Sequence, residues 1–251
     1  MADLFSPYVE MLIGNQIQVR NQFQAFDLWL SRKEPCDICD VTFSGGLTDL
    51  GLVKDTPVEI LLGYDLGQLW PVFSGYVADA VHPRYLLKDE CLRLFQAKVI
   101  QTFTDVAPQD VIKYGLRAAG ISDARLDQTD YPHKRCFVAA ENVSDLVRRV
   151  NAAWGIEHDW YFRGKTFCWD APAPQPGTVY SYQYGENIIE LEPETGRFTT
   201  VISPFIEHSR EIEIIWPGIT STRFIVETVR HFLNEKGSWR SEIYFRELEA
   251  A

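Results

Sequence analysis

Apolar and polar residues alternate along the first hundred positions, and the alternation predicts strands. YVEMLIG breaks at Gly14-Asn15 and resumes as QIQVR; FQAFDLWL follows, with Phe26, Leu28 and Leu30 set against polar neighbours. CDVTF places Cys39, Val41 and Phe43 on one side and ends at Ser44-Gly45-Gly46. VEILLGY and WPVFSGYVADAV then bracket Asp65-Leu66-Gly67-Gln68, the pattern of a hairpin with a four-residue loop. Short strands punctuated by turns, with no crossover helix among them, predict an antiparallel sandwich or small barrel rather than an α/β fold.

From residue 104 the period lengthens. Pro108 suits a first helical turn, Val111, Ile112, Leu116 and Ala119 line one face, and Gly120 ends the run. ISDARLDQTDYPHK is a polar connector. CFVAA reads as a strand, after which Asn142 offers a side-chain oxygen to a helix start and Asp145 favours the first turn. Val143, Leu146, Val147, Val150 and Trp154 share one helical face while Arg148 and Arg149 point to water, and Gly155 supplies the left-handed residue that stops the helix. HDWYF and KTFCW flank Arg163-Gly164, a tight hairpin. A helix laid against this hairpin is closed by Trp154, Trp160, Phe162, Phe167 and Trp169.

The proline-rich stretch DAPAPQPGT is a stiff linker or edge-covering loop. Beyond it VYSYQYG, NIIELEPE, RFTTVIS and REIEIIW read as strands, with a turn at Pro217-Gly218. In RFIVETVRHFLN, Phe224, Val226 and Thr228 alternate with Ile225, Val229 and His231; WRSEIYFR turns Ile243 and Phe245 inward. The fold class is α+β, mainly β. Two small antiparallel β-barrel-like domains, residues 1–103 and 171–251, surround an α/β insert of helix plus hairpin at 104–170, and the last domain packs in part with the first.

Charge narrows the partners. A net charge of −11 repels phosphate, and no basic stripe with interleaved aromatics offsets it, so nucleic-acid binding is not expected. The apolar runs are too short for a membrane-spanning helix. MADLFSPYVE has neither a basic start nor an apolar run, so no signal peptide is expected and the cytoplasm is the default place of assembly. The five cysteines, at 36, 39, 91, 136 and 168, are an odd number best read as reduced thiols. Cys36 and Cys39 have the spacing of half a zinc site, but no second CxxC or HxxxH completes it, so no metal is expected.

No catalytic signal outweighs its structural explanation. The histidines at 82, 133, 158, 208 and 231 read as surface or packed residues, with His158-Asp159 at a helix–hairpin joint. No cysteine carries a local sequence that marks a nucleophile. Gly164-Lys165-Thr166 lacks the upstream glycine and following helix of a phosphate loop. Among 35 acidic residues a glycosidase pair is not excluded, yet acids alternating along strands are usually a solvated face. No catalytic residue, cofactor or metal ligand is assigned, and interface residues are not identifiable. Seven Trp and eleven Tyr suggest a carbohydrate-binding surface, although Trp in alternating strands is more often core.

One resemblance covers most of residues 70–250. The order of VFSGYVADA, KDECLRLF, the short helix PQDVIKYGLRAAGI, the strand–helix–hairpin from Cys136 to Trp169, and a closing pair built on Phe224, Val226, Val229, His231, Gly237, Arg240, Glu242 and Ile243 resembles the phage late-control D family of baseplate hubs. In that resemblance VFSGYVADA is a hairpin arm and KDECLRLF the strand that follows. Glu207-His208-Ser209 departs from the proline-glycine turn expected there. The resemblance implies a structural protein of a contractile, phage-derived tail. It would be a homotrimeric hub joining a sixfold tail tube to a threefold spike, beside other baseplate proteins, located in the virion tail and assembled in the host cytoplasm. A tail-associated cell-wall hydrolase or peptidase and a carbohydrate- or receptor-binding tail module are the alternatives.

Overall fold

The computed structural model describes residues 7–14, 17–44, 50–64, 68–170, 175–216 and 219–248. The turns expected at Asn15, Gly45-Gly46, Asp65-Leu66-Gly67 and Pro217-Gly218, the start of the chain and much of the proline-rich stretch lie outside them. The chain forms two compact units, one made of Met1–Arg32, Asp37–Lys88 and Ala173–Ala251, the other of Lys33–Cys36 and Asp89–Pro172. Strand takes 53% and helix 15% of the described residues, mainly β as the alternation predicts.

The first unit holds β1 (Tyr8–Ile13), β2 (Ile17–Arg20), β3 (Phe23–Ser31), β4 (Ile38–Phe43), β5 (Pro57–Gly63), β6 (Leu69–Val81) and β7 (Arg84–Lys88). The second opens with α1 (Cys91–Gln96), β8 (Lys98–Phe103), α2 (Pro108–Ala118) and β9 (Ala124–Leu126), then β10 (Phe137–Asn142), α3 (Val143–Trp154), β11 (Asp159–Arg163) and β12 (Thr166–Asp170). The chain then returns to the first unit with β13 (Tyr180–Gln183), β14 (Ile188–Glu192), β15 (Arg197–Val201), β16 (Glu211–Trp216), β17 (Ile219–Leu233) and β18 (Trp239–Glu247).

All strands of the first unit join one 13-stranded sheet, ordered β14-β15-β18-β17-β3-β4-β7-β6-β5-β1-β2, with β16 beside β17 and β13 beside β16. The strands do not close into a barrel. The two barrel-like domains expected from the sequence are two parts of one hydrogen-bonded sheet. The 15-residue β17 causes this: β18 pairs along it from Phe224 to Leu233, β16 takes its first half, and β3 takes Thr228 to Phe232. A register shift near Glu227 puts an extra residue into β17. It resets the phase, so Phe224 and Val226 before it and Val229 after it all enter the apolar core, which simple alternation does not allow.

Two details tie sequence to packing. β4 alternates as predicted, with Cys39 and Val41 fully buried and Phe43 nearly so. In β6, a Cβ on Gly75 would meet the Lys88 carbonyl oxygen at 2.2 Å, so the glycine between Phe73 and Val77 admits the β7 backbone.

In the second unit α3 begins and ends as predicted. The Asn142 side chain accepts the Asp145 amide at 2.9 Å, and Gly155 is left-handed at φ 67°. Val143, Leu146, Val147 and Val150 are buried, as are Val111, Ile112, Gly115 and Leu116 of α2. A Cβ on Gly115 would touch Leu146 and Val143 at 3.0–3.1 Å, which sets how closely these helices approach. β10 pairs with β8, while β11, β12 and β9 form a separate three-stranded sheet with β9 parallel to β12. Trp160, Phe162, Phe167 and Trp169 are buried, but Trp154 is only half-buried, its indole donating to the Pro132 carbonyl at 2.8 Å. KDECLRLF is not one strand. Lys88 ends β7, and the Asp89 carboxylate then accepts the Cys91 amide at 3.0 Å, turning the chain into α1 with Cys91, Leu92 and Leu94 inward.

Candidate functional site

Four clusters collect the residues with chemical potential, and each lies within one unit. In the second unit, His158 is joined not to its neighbour Asp159 but to Asp127, Nε2 to Oδ2 at 3.1 Å; the Tyr131 hydroxyl reaches the same carboxylate at 2.8 Å and the same imidazole nitrogen at 3.0 Å. Burial alone would raise the Asp127 pKa, but hydrogen bonds from Thr129, His158 and Tyr131 outweigh it and hold the carboxyl well below its usual range. An ionised acceptor that keeps two donors in place orients His158 edge-on to Trp169, with ring centroids 4.7 Å apart. Trp169 donates to Asn151 at 2.7 Å, and Asn151 donates to the His158 carbonyl at 2.9 Å. This closed ring of contacts locks α3 onto the hairpin.

The first unit buries an arginine. Arg32, 1% exposed, donates from Nη1 to the Ser209 hydroxyl at 3.0 Å, and His208 Nδ1 lies 3.0 Å from the same oxygen. Serine beside histidine invites comparison with a nucleophile and its base. However, Ser209 is fully buried, left-handed at φ 66°, and engaged by a cation that lowers the nucleophilicity of its oxygen. The Glu207-His208-Ser209 segment, the departure noted in the sequence, is a bend with His208 and Ser209 buried and Ser209 held by Arg32.

A shallow surface groove of about 330 Å³ runs over Asp27, Asp40, Arg84, Arg230 and Phe232. Arg230 forms a two-pronged pair with Asp27 at 2.7 and 2.8 Å and lies between the rings of Trp29 and Phe232. Arg84 forms the same kind of pair with Asp40. Such cross-strand pairs satisfy one another and make a polar, self-neutralised face. Arg148 and Arg149 likewise lie against Asp145 and Glu141, at 3.4 and 2.8 Å.

The cysteines separate in space. Cys39 joins the core of the first unit and Cys168 is buried in β12, whereas Cys36 meets Asp89 and Cys91, all three buried, with their sulfur and oxygen atoms within 4.8 Å of one another. The pairing of Cys36 with Cys91 has no sequence signal, because 54 positions intervene.

No family model and no curated protein matches the sequence. Solved structures do. A 43 kDa tail protein of prophage MuSo2 from Shewanella oneidensis superposes with a TM-score of 0.71 at 9% identity, over 96% of this chain and 98% of its own. A tail protein from Neisseria meningitidis MC58 gives 0.71 at 11% identity, covering 97% of both chains. This chain has the fold of those tail proteins. The E. coli c3393 protein gives 0.65 at 9% identity, over 95% of this chain and 77% of that one; it is described as a type VI secretion component structurally similar to the bacteriophage T4 tail proteins gp27 and gp5. At such identities the likeness carries the fold alone.

Proposed function

We propose that this chain is a structural tail protein, the baseplate hub that joins a tail tube to a spike as a homotrimer. The observation that carries the reading is the fold likeness over nearly the whole of this chain and nearly the whole of two tail proteins, one of them from a prophage. The four clusters agree with it, since each fastens strands or helices to one another. In this reading the contacts are made by sheet edges. β2 and β14 end the described path of the 13-stranded sheet, and an edge strand offers unpaired backbone groups to another chain. β1–β7 and β13–β18, the two parts of the large sheet, would give each subunit two strand sets, so three copies would present six, a count that suits a threefold ring facing a sixfold tube. The chain would then reside in the virion tail, touching tube, spike and other baseplate proteins.

Tail particles purified from cells that encode the chain test this directly. Gold-labelled antibody should mark one end of the tube, and deleting the chain should leave tubes without spikes. Normal tails that lack the protein would overturn the proposal.

A further inference from the structure

The second unit carries a group of side chains whose chemistry goes beyond fastening one element to another. Cys36 lies in the Lys33–Cys36 strap, and Asp89 and Cys91 stand at the start of α1. The Cys36 thiol donates to Asp89 Oδ1 at 3.3 Å, and all three ligand atoms lie within 4.8 Å of one another, each residue under 9% exposed.

We propose that Cys36, Cys91 and Asp89 form a binding site for one thiophilic divalent cation of the zinc class. Bond lengths of roughly 2.3 Å to sulfur and 2.0 Å to oxygen set neighbouring ligands of a tetrahedral ion about 3.5 Å (S to O) and about 3.8 Å (S to S) apart. The Cys36–Asp89 distance of 3.3 Å already approaches that spacing, so the ligands need little rearrangement to close on an ion. The donor set argues the same way: two soft thiolates disfavour magnesium and calcium, and one carboxylate suits a borderline ion such as Zn²⁺. Three protein ligands leave a fourth position for water or a further side chain.

Charge explains why the site suits a cation. A divalent ion supplies the charge that two thiolates and a carboxylate lack, and its binding expels protons, so affinity rises with pH. The ion would fasten the strap to α1. The CxxC at 36–39 is then a coincidence of spacing, because Cys39 sits in the apolar core of the other unit.

Cobalt(II) titration of the full chain, reduced and stripped with chelator, tests the site. One equivalent should give a thiolate-to-cobalt absorption band, displaced by Zn²⁺, and Zn²⁺ should raise the thermal midpoint. Cys36→Ser and Cys91→Ser should abolish the band and Asp89→Asn weaken binding by at least roughly tenfold, the smaller end of what losing even an outer supporting residue costs. Cys39→Ser and Cys168→Ser should leave it intact. Far-ultraviolet circular dichroism checks that each variant folds, and the wild-type titration stands whether or not they do. The proposal is overturned if the wild type gives no band, if the band survives in both Cys36→Ser and Cys91→Ser, or if metal-free protein carries a Cys36–Cys91 disulfide that excludes the ion.

Discussion

His231 offers a prediction whose size follows from the structure. It is fully buried in β17, with Nδ1 2.8 Å from the Ser241 hydroxyl and Nε2 without a hydrogen-bond partner among the described residues. Its strand neighbour Arg230 points to the opposite face. Burial with no opposing charge therefore lowers its pKa to about 3. An unfolded histidine titrates near 6.5. Because the folded value is depressed, the unfolded state takes up the proton first as pH falls. Stability is whole above about pH 6.5 and is lost between there and the folded pKa. At pH 5 the unfolded imidazole is almost wholly charged and the folded one still neutral, so the loss relative to pH 7 is about 2 kcal/mol. A folded pKa of 4 in place of 3 leaves that figure nearly unchanged. Urea unfolding followed by tryptophan fluorescence at pH 7 and pH 5 measures it. His231→Asn cannot titrate here, so whatever its stability at pH 7, its drop between the two pH values should be smaller by about 2 kcal/mol. Equal drops in the two proteins would show that His231 is charged in the fold or reached by water.

Trp169, fully buried and bonded to Asn151, should cost about 3–5 kcal/mol when cut to alanine, whereas half-buried Trp154 should cost about 1–3 kcal/mol; chemical denaturation ranks them, and the reverse order would mean the hairpin packing is misread. Asn142→Ala removes the cap of α3 and should cost about 1 kcal/mol in the same assay, with no effect if the Asp145 amide finds water as readily. A chain carrying −11, with Arg148 and Arg149 already against carboxylates, should show no measurable DNA affinity by fluorescence anisotropy at roughly 0.15 M salt. Low-micromolar binding that weakens steeply with salt would reveal a basic patch.

Much of the fold was legible where a local rule acts within a few residues. α3 was readable because its cap, apolar face and terminal glycine all lie between Asn142 and Gly155. β4 was readable because alternation needs only six residues. The failures share a cause. The short helix α1 offers too few turns to show a period, and its start depends on how Asp89 folds back onto Cys91. The bulge near Glu227 shifts the phase of β17 without any marker residue. Whether strand sets close into barrels or join in one sheet depends on the pairing of β17 with β3, about 200 residues apart in the chain. The candidate sites were less legible still. Asp127 rather than Asp159 meets His158, Cys91 rather than Cys39 meets Cys36, and Arg32 is drawn to Ser209, all contacts that exist only after the chain has folded.

The mass of the purified protein in solution tests the hub reading most directly. Light scattering across a concentration series, alone and with a candidate spike protein, should give a particle three times the 28.8 kDa chain, formed alone or once the spike is present. A single 28.8 kDa species in both mixtures, with the spike left unbound, would contradict it.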